Sequence, residues 1–165
     1  MKKIFLIRHA KSNWSNSEFN DFNRLLNNQG KIDAPFMGKR LFSKKVYPDL
    51  IITSPAKRAL NTTRKIAKEI NYPDDKIIQN KDLYLARIPE FVEIINNISN
   101  SISSVFIVSH NPGITETAEY LTGEIIDTIP TTGILCIEFN TNSWHSIKKE
   151  EGRVLFFDYP KKHKR

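Results

Sequence analysis

Three short continuous apolar runs mark the chain: "IFLI" at 4–7, "LII" at 50–52 and "VFIV" at 105–108. A strand with one wet face alternates apolar and polar residues, whereas a strand covered on both sides reads as an unbroken apolar run. These three therefore predict buried strands. Between them Ala56, Ala59, Leu60, Thr63, Ile66, Ala67 and Ile70 recur at steps of three and four, as do Phe91, Ile94, Ile95 and Ile98. That spacing lines one face of a helix. Strands alternating with helices predict an α/β layered domain.

Ser54-Pro55 and Asn111-Pro112 each set a favoured N-cap residue before a proline, whose missing N–H costs nothing in a first turn. They predict helix starts directly after the second and third strands. Another helix is expected within 29–44, kinked at Pro35 or beginning near it after Asp33. Gly123 suits a helix C-terminus. Beyond it, 134–140, 143–149 and 152–159 read as strands of an edge or a small antiparallel addition.

The 165 residues predict one domain over 1–160 and a basic tail over 161–165. No apolar run approaches the roughly 20 residues that span a bilayer, and the stretch after Met1-Lys2-Lys3 is too short for a signal peptide. A cytoplasmic protein is expected. Cys136 is the only cysteine, which excludes an intrachain disulfide and a thiolate metal cage; its strand-like flanks predict a buried thiol. Of the net charge of +7, four charges lie in the last five residues (Lys161, Lys162, Lys164, Arg165), leaving +3 for the body. A solvated basic end accounts for this better than a nucleic-acid surface.

The candidate chemistry emerges at the strand ends: Arg8-His9 after the first, Ser54 with Arg58 after the second, Ser109-His110 after the third. In open α/β sheets ligands bind in the crevice beyond the C-terminal strand ends. Arg58 falls in the first turn of its helix, where free amides and the dipole favour an anion. Two arginines, two histidines and two helix starts predict an electropositive hole for a phosphoryl group, because guanidinium forks match phosphate oxygens in pairs. A zinc site from His9 and His110 is poor: no third ligand is spaced with them, and the arginines would repel a divalent cation.

These residues also carry a resemblance. "LIRHAKSNW" resembles the RHG-type opening of the histidine phosphatase superfamily, with Ala10 in place of glycine. "SPAKRALNT" resembles its second motif and "VSHNPGI" its strand-end histidine motif. "DFNRLL", "QGKIDAPFMG", "PDLIITSPAKRA", "DLYLA" and "PTTG" look like the SixA-like phosphohistidine phosphatase branch.

The resemblance implies a phosphoglycerate-mutase-like three-layer α/β/α fold with a mostly parallel mixed sheet and no metal cofactor. It implies His9 as nucleophile, with Arg8, Arg58 and His110 on the phosphoryl oxygens. A nucleophilic imidazole needs one nitrogen free and the other donating to a fixed acceptor. Two carboxyls are candidate acids: Asp82, where many relatives carry a glutamate, and Asp21, in the loop after the nucleophile. Each has a structural alternative, Asp82 capping a turn and Asp21 pairing with Arg24. Ser12 and Asn13 are candidate phosphoryl donors or turn formers. Leu25 stands where relatives often have proline, and Ser15 where other branches have asparagine.

The expected activity is hydrolysis of a phosphoryl group through a phosphohistidine on His9. The expected substrate, implied by the resemblance to the SixA-like branch, is a phosphohistidine in a protein; so short a chain also leaves little room for inserts that close over a metabolite. A small phosphoester is the alternative substrate. A non-catalytic phosphoprotein or nucleic-acid binding module is the alternative of another class.

Overall fold

The computed structural model describes residues 1–14 and 20–163. The elements run β1 (Lys2–Arg8), α1 (Asn28–Ser43), β2 (Leu50–Thr53), α2 (Lys57–Glu69), β3 (Ile78–Gln79), α3 (Ile88–Asn96), β4 (Ser104–Ser109), α4 (Gly113–Thr122), β5 (Ile134–Phe139) and β6 (Arg153–Asp158). They build one six-stranded sheet in the order β3-β2-β4-β1-β5-β6. The first four strands are parallel, while β5 runs antiparallel to both β1 and β6.

The unbroken apolar runs are explained by two covered faces. Phe5, Ile7, Phe106 and Val108 pack with Met37 and Leu41 of α1 and Ala59 and Ile66 of α2. Their neighbours in sequence, Ile4, Leu6, Val105 and Ile107, pack with Phe91 and Ile95 of α3 and Ile114 and Leu121 of α4. Alternation survives, but between two interiors. A fully buried side chain of this size contributes about 1.5–3 kcal/mol. The result is an α/β/α sandwich with the expected mixed sheet.

Two local expectations need correction, and an alternative left open at Pro35 is decided. Residues 143–149 are not a strand: Trp144–Ser146 form a 3-10 turn. Trp144 and Ile147 are both buried, three apart, and so share one face of such a turn. The Trp144 indole N–H donates to Ile102 O at 2.8 Å, which satisfies the one polar atom of that core side chain.

Both proline-marked helices also start later than predicted, with Ala56 and Pro112 at the N-cap positions and no side-chain cap. The side chains expected to cap them are otherwise engaged. Ser54 Oγ lies 2.7 Å from His110 Nε2, while Asn111 Nδ2 donates to Ile129 O at 3.1 Å. Finally, α1 runs through Pro35 rather than starting near it, because Asn27 caps the helix one turn and more upstream by accepting from Gly30 N at 2.8 Å. Gly123 closes α4 in the left-handed conformation, as expected.

Two glycines let loops close over the C-terminal edge of the sheet. A β-carbon on Gly30 would lie 2.2 Å from Lys11 O, and one on Gly113 would lie 1.9 Å from Ala86 O. Only a hydrogen fits at either place. The last described residues lie against α1: buried Asp158 accepts from Arg40 Nε at 2.8 Å and pairs with His163 Nε2 at 2.5 Å. Lys161 and Lys162 of the basic tail are exposed; Lys164, Arg165 and Ser15 lie outside the described residues. Among the described residues, no helix is long and apolar enough to cross a membrane.

Candidate active site

Sheet register brings the chemistry together. β1 and β4 are adjacent and parallel with Arg8 opposite Ser109, so the next residues, His9 and His110, leave the sheet side by side. Their ring centroids are 5.2 Å apart. On the other side of β4, Thr53 pairs with Val108, which sets Ser54 beside His110. The chain leaves β1 toward the α1 face and β4 toward the α4 face, so the crevice opens at a topological switch point. It is a cavity of about 650 Å³ whose lining includes Arg8, His9, Arg58 and His110.

The His9 ring is held in one orientation. Its Nδ1 lies 2.7 Å from Ala10 O, a carbonyl that can only accept, so Nδ1 carries the proton and Nε2 keeps its lone pair. Ala10 is in turn fixed from α2: its N–H donates to Thr62 Oγ1 at 2.9 Å, and that hydroxyl donates to Arg58 O at 2.7 Å. Arg58 Nε points at His9 Nε2 from 3.4 Å. The tautomer expected of a nucleophile is thus built into the loop.

Burial, chiefly, pushes the His9 pKa down to about 3; the Ala10 hydrogen bond opposes this, and the charges of His110, Arg58 and Arg8 add to it. His110 is also pushed down to about 3, by burial first and the Arg58 charge second. Both rings are therefore neutral near pH 7, and the positive charge of the hole comes from its arginines. The unfolded chain, with imidazoles near 6.5, binds more protons than the folded one between about 3 and 6.5. Stability from the neutral buried rings is complete above about pH 6.5 and is lost as pH falls toward 3. We expect the melting temperature to fall between about pH 7 and about pH 4, and the slope to be shallower in a His9→Gln, His110→Gln double variant. An unchanged slope would contradict the burial argument.

Asp21 is at the site, and Asp82 is not. Asp21 Oδ2 accepts from Arg58 Nη2 at 3.1 Å and from the Tyr84 hydroxyl at 2.6 Å, and Oδ1 accepts from Arg24 Nη2 at 3.0 Å. Its backbone carbonyl accepts from Arg58 Nη1 at 2.6 Å. Burial works against ionisation, but the hydrogen bonds of Tyr84 and Arg24 and the Arg58 charge outweigh it and hold the carboxyl well below its usual range. Asp82 is exposed and lines a different cavity with Leu50, Glu90 and Ile94. Asn80 accepts from its backbone N–H, so Asp82 belongs to a turn.

Ser12 lines the cavity, but its hydroxyl accepts from Arg24 Nη1. Asn13 is not among the lining residues; its N–H pairs with Leu25 O at 2.7 Å. Sequence reasoning missed Tyr84, whose ring stands edge-on to His110 at 5.6 Å, and the part Arg24 plays. The available signal was the tyrosine within "DLYLA", a polar-tipped aromatic in the loop leading out of the sheet edge.

Three buried polar atoms of lining residues, Arg8 Nε, Arg24 Nε and His110 Nδ1, have no protein partner. Leaving such atoms unpaired costs about 1–3 kcal/mol each, which an oxyanion in the hole would relieve. Among the described residues, no group of three or more His, Cys, Asp or Glu side chains is arranged to hold a metal ion.

A sequence model of the histidine phosphatase superfamily, branch 1, matches residues 4–84. A chloroplastic protein of Arabidopsis thaliana, itself uncharacterized, is 26% identical over 151 residues, 87% of this chain and 69% of that one. Among solved structures, the candidate phosphohistidine phosphatase SixA of Agrobacterium tumefaciens superposes with a TM-score of 0.83 at 27% identity, covering 96% of this chain and 98% of that one. A protein histidine phosphatase SixA in complex with tungstate gives 0.85 at 21% identity, covering 98% and 99%. A mycobacterial glucosyl-3-phosphoglycerate phosphatase shares the fold at 0.67 and 13% identity, covering 93% and 97%. Motif order, strand-end geometry and these likenesses agree: the chain is similar to the histidine phosphatase superfamily, on its SixA-like side.

Proposed function

We propose that this phosphatase transfers a phosphoryl group to Nε2 of His9 and then to water, and that its substrate is a phosphohistidine in a protein. The observation that carries the reading is the 2.7 Å contact of His9 Nδ1 with Ala10 O, which leaves Nε2 as the attacking lone pair at the floor of an arginine-lined hole. In the first step the Nε2–P bond forms as the bond from phosphorus to the leaving group breaks. In the second, water attacks phosphorus, the Nε2–P bond breaks, and phosphate leaves with neutral His9 restored. Arg8 and Arg58 balance the equatorial oxygens. Ser54 Oγ accepts from Ala56 N at 3.2 Å and donates its own proton to His110 Nε2, so that His110 Nδ1–H serves as a neutral donor to the same oxygens. The tungstate held by the SixA relative is an oxyanion of the kind this hole fits.

The leaving group follows from the acid. Asp21 is the single carboxyl among the described lining residues, and it is held ionised by its arginines, so it has no proton to give. An alkoxide leaves badly without an acid, whereas an imidazole takes a proton from solvent on its basic second nitrogen and then leaves readily as a neutral molecule. Comparing free phosphohistidine, an aryl phosphate and glycerol phosphate tests this. We expect kcat/KM to fall in that order, with the alkyl ester at least about 10²-fold below phosphohistidine, the usual contribution of a general acid. An alkyl ester hydrolysed as fast as phosphohistidine would return the reading to a metabolite phosphatase.

A further inference from the structure

Two large apolar side chains stand in solvent at the mouth of the cavity: Trp14 is 79% exposed and Leu85 is 67% exposed. Scattered exposed apolar residues are ordinary. These two share one rim, and Leu85 has a further peculiarity. Its φ is +58°, a conformation natural to glycine and strained for a leucine. Packing does not account for a leucine there, since so much of the side chain is in water. Strained backbone at the edge of a site points to use.

Trp14 is also set in place. The Arg24 guanidinium lies 3.4 Å from its ring centroid, and that guanidinium is fixed from the other side by Ser12 and Asp21. A rigid indole lying on a buried arginine is the kind of anchor that dominates protein interfaces. The surrounding charge is one-signed: the described lining carries Arg8, Lys11, Arg24 and Arg58 against Asp21 alone. With Arg8 and Arg58 committed to the phosphoryl group and Asp21 offsetting one cation, the rim retains positive charge for the neighbours of the phosphorylated side chain.

We propose that Trp14 and Leu85 form an apolar clamp at the cavity mouth that docks a protein surface in which the phosphohistidine is flanked by apolar and acidic residues. The inference rests on the protein-phosphohistidine reading and adds which residues select the partner. Lys11 supplies the steering charge, and Leu85 supplies contact area without touching the phosphoryl group.

Two synthetic peptides, each with a single phosphohistidine, test it: one flanked by leucine and glutamate, the other by serine and lysine. Free phosphohistidine serves as the control. We expect the leucine-glutamate peptide to be preferred at least about tenfold in kcat/KM, mainly through KM, and less so at high salt. Leu85→Gly relieves the backbone, so it should fold at least as well, keep turnover of free phosphohistidine, and lose most of the preference. Trp14→Ala should lose it too, through KM. Equal rates for both peptides, or a preference untouched by Leu85→Gly, overturns the clamp and leaves the phosphatase reading standing. Failure to hydrolyse any phosphohistidine probe while an ester turns over overturns the substrate reading and the clamp with it.

Discussion

Replacing His9 by alanine is expected to lower turnover of every substrate by at least about 10³-fold, the scale set by removing a nucleophile. No other described group can take over. His110 Nε2 is engaged with the Ser54 hydroxyl at 2.7 Å. The variant should remain folded, since it forfeits the hydrogen bond to Ala10 O, about 1 kcal/mol, and the longer one from Arg58 Nε, and leaves a small void beside the crevice. Thermal melting separates loss of chemistry from loss of fold. Its affinity for an oxyanion such as tungstate should persist, because Arg8 and Arg58 remain. Turnover within about tenfold of the parent protein would remove His9 from the role of nucleophile.

The second large effect is expected at Arg58. Its side chain makes three contacts at once, with His9 Nε2, Asp21 O and Asp21 Oδ2. Lysine keeps the charge but loses the planar fork, so it cannot hold the Asp21 segment and face the phosphoryl oxygens together. Arg58→Lys should therefore cost about 10²- to 10³-fold in kcat/KM, as for loss of one fixed donor to the transition state. Asp21→Asn keeps the shape of that contact and gives up only its charge, so its effect should be the smaller of the two. Steady-state kinetics of both variants provide the check; an Asp21 effect exceeding that of Arg58→Lys would mean that the carboxylate takes part in the chemistry.

The central layers were legible because burial on two faces leaves a plain mark, an apolar run without alternation, as at Ile4–Ile7 and Val105–Val108. Parallel pairing then dictated the rest: once β1 and β4 are neighbours in register, His9 and His110 must adjoin. The site was readable to the extent that it follows from strand ends. What the sequence hid depends on contacts between distant segments. Ser54 looked like a cap because its local setting favours one, yet His110, 56 residues away, takes its hydroxyl. Trp144 sat in an alternating stretch but is drawn into the core from a 3-10 turn. Asp21 could be an acid or an ion-pair partner on sequence alone; Arg58, Arg24 and Tyr84 converge on it only in three dimensions, and they decide for the ion pair. Asp82 shows the reverse case, a position matched by motif and turned toward another cavity.

Rapid quenching in alkali during turnover of phosphohistidine, followed by mass spectrometry of the digested protein, tests the covalent route most directly. A single acid-labile phosphoryl group on His9, absent from His9→Ala, is the predicted result. Modification of a different residue, or full turnover with no phosphorylated protein at any time, would contradict it.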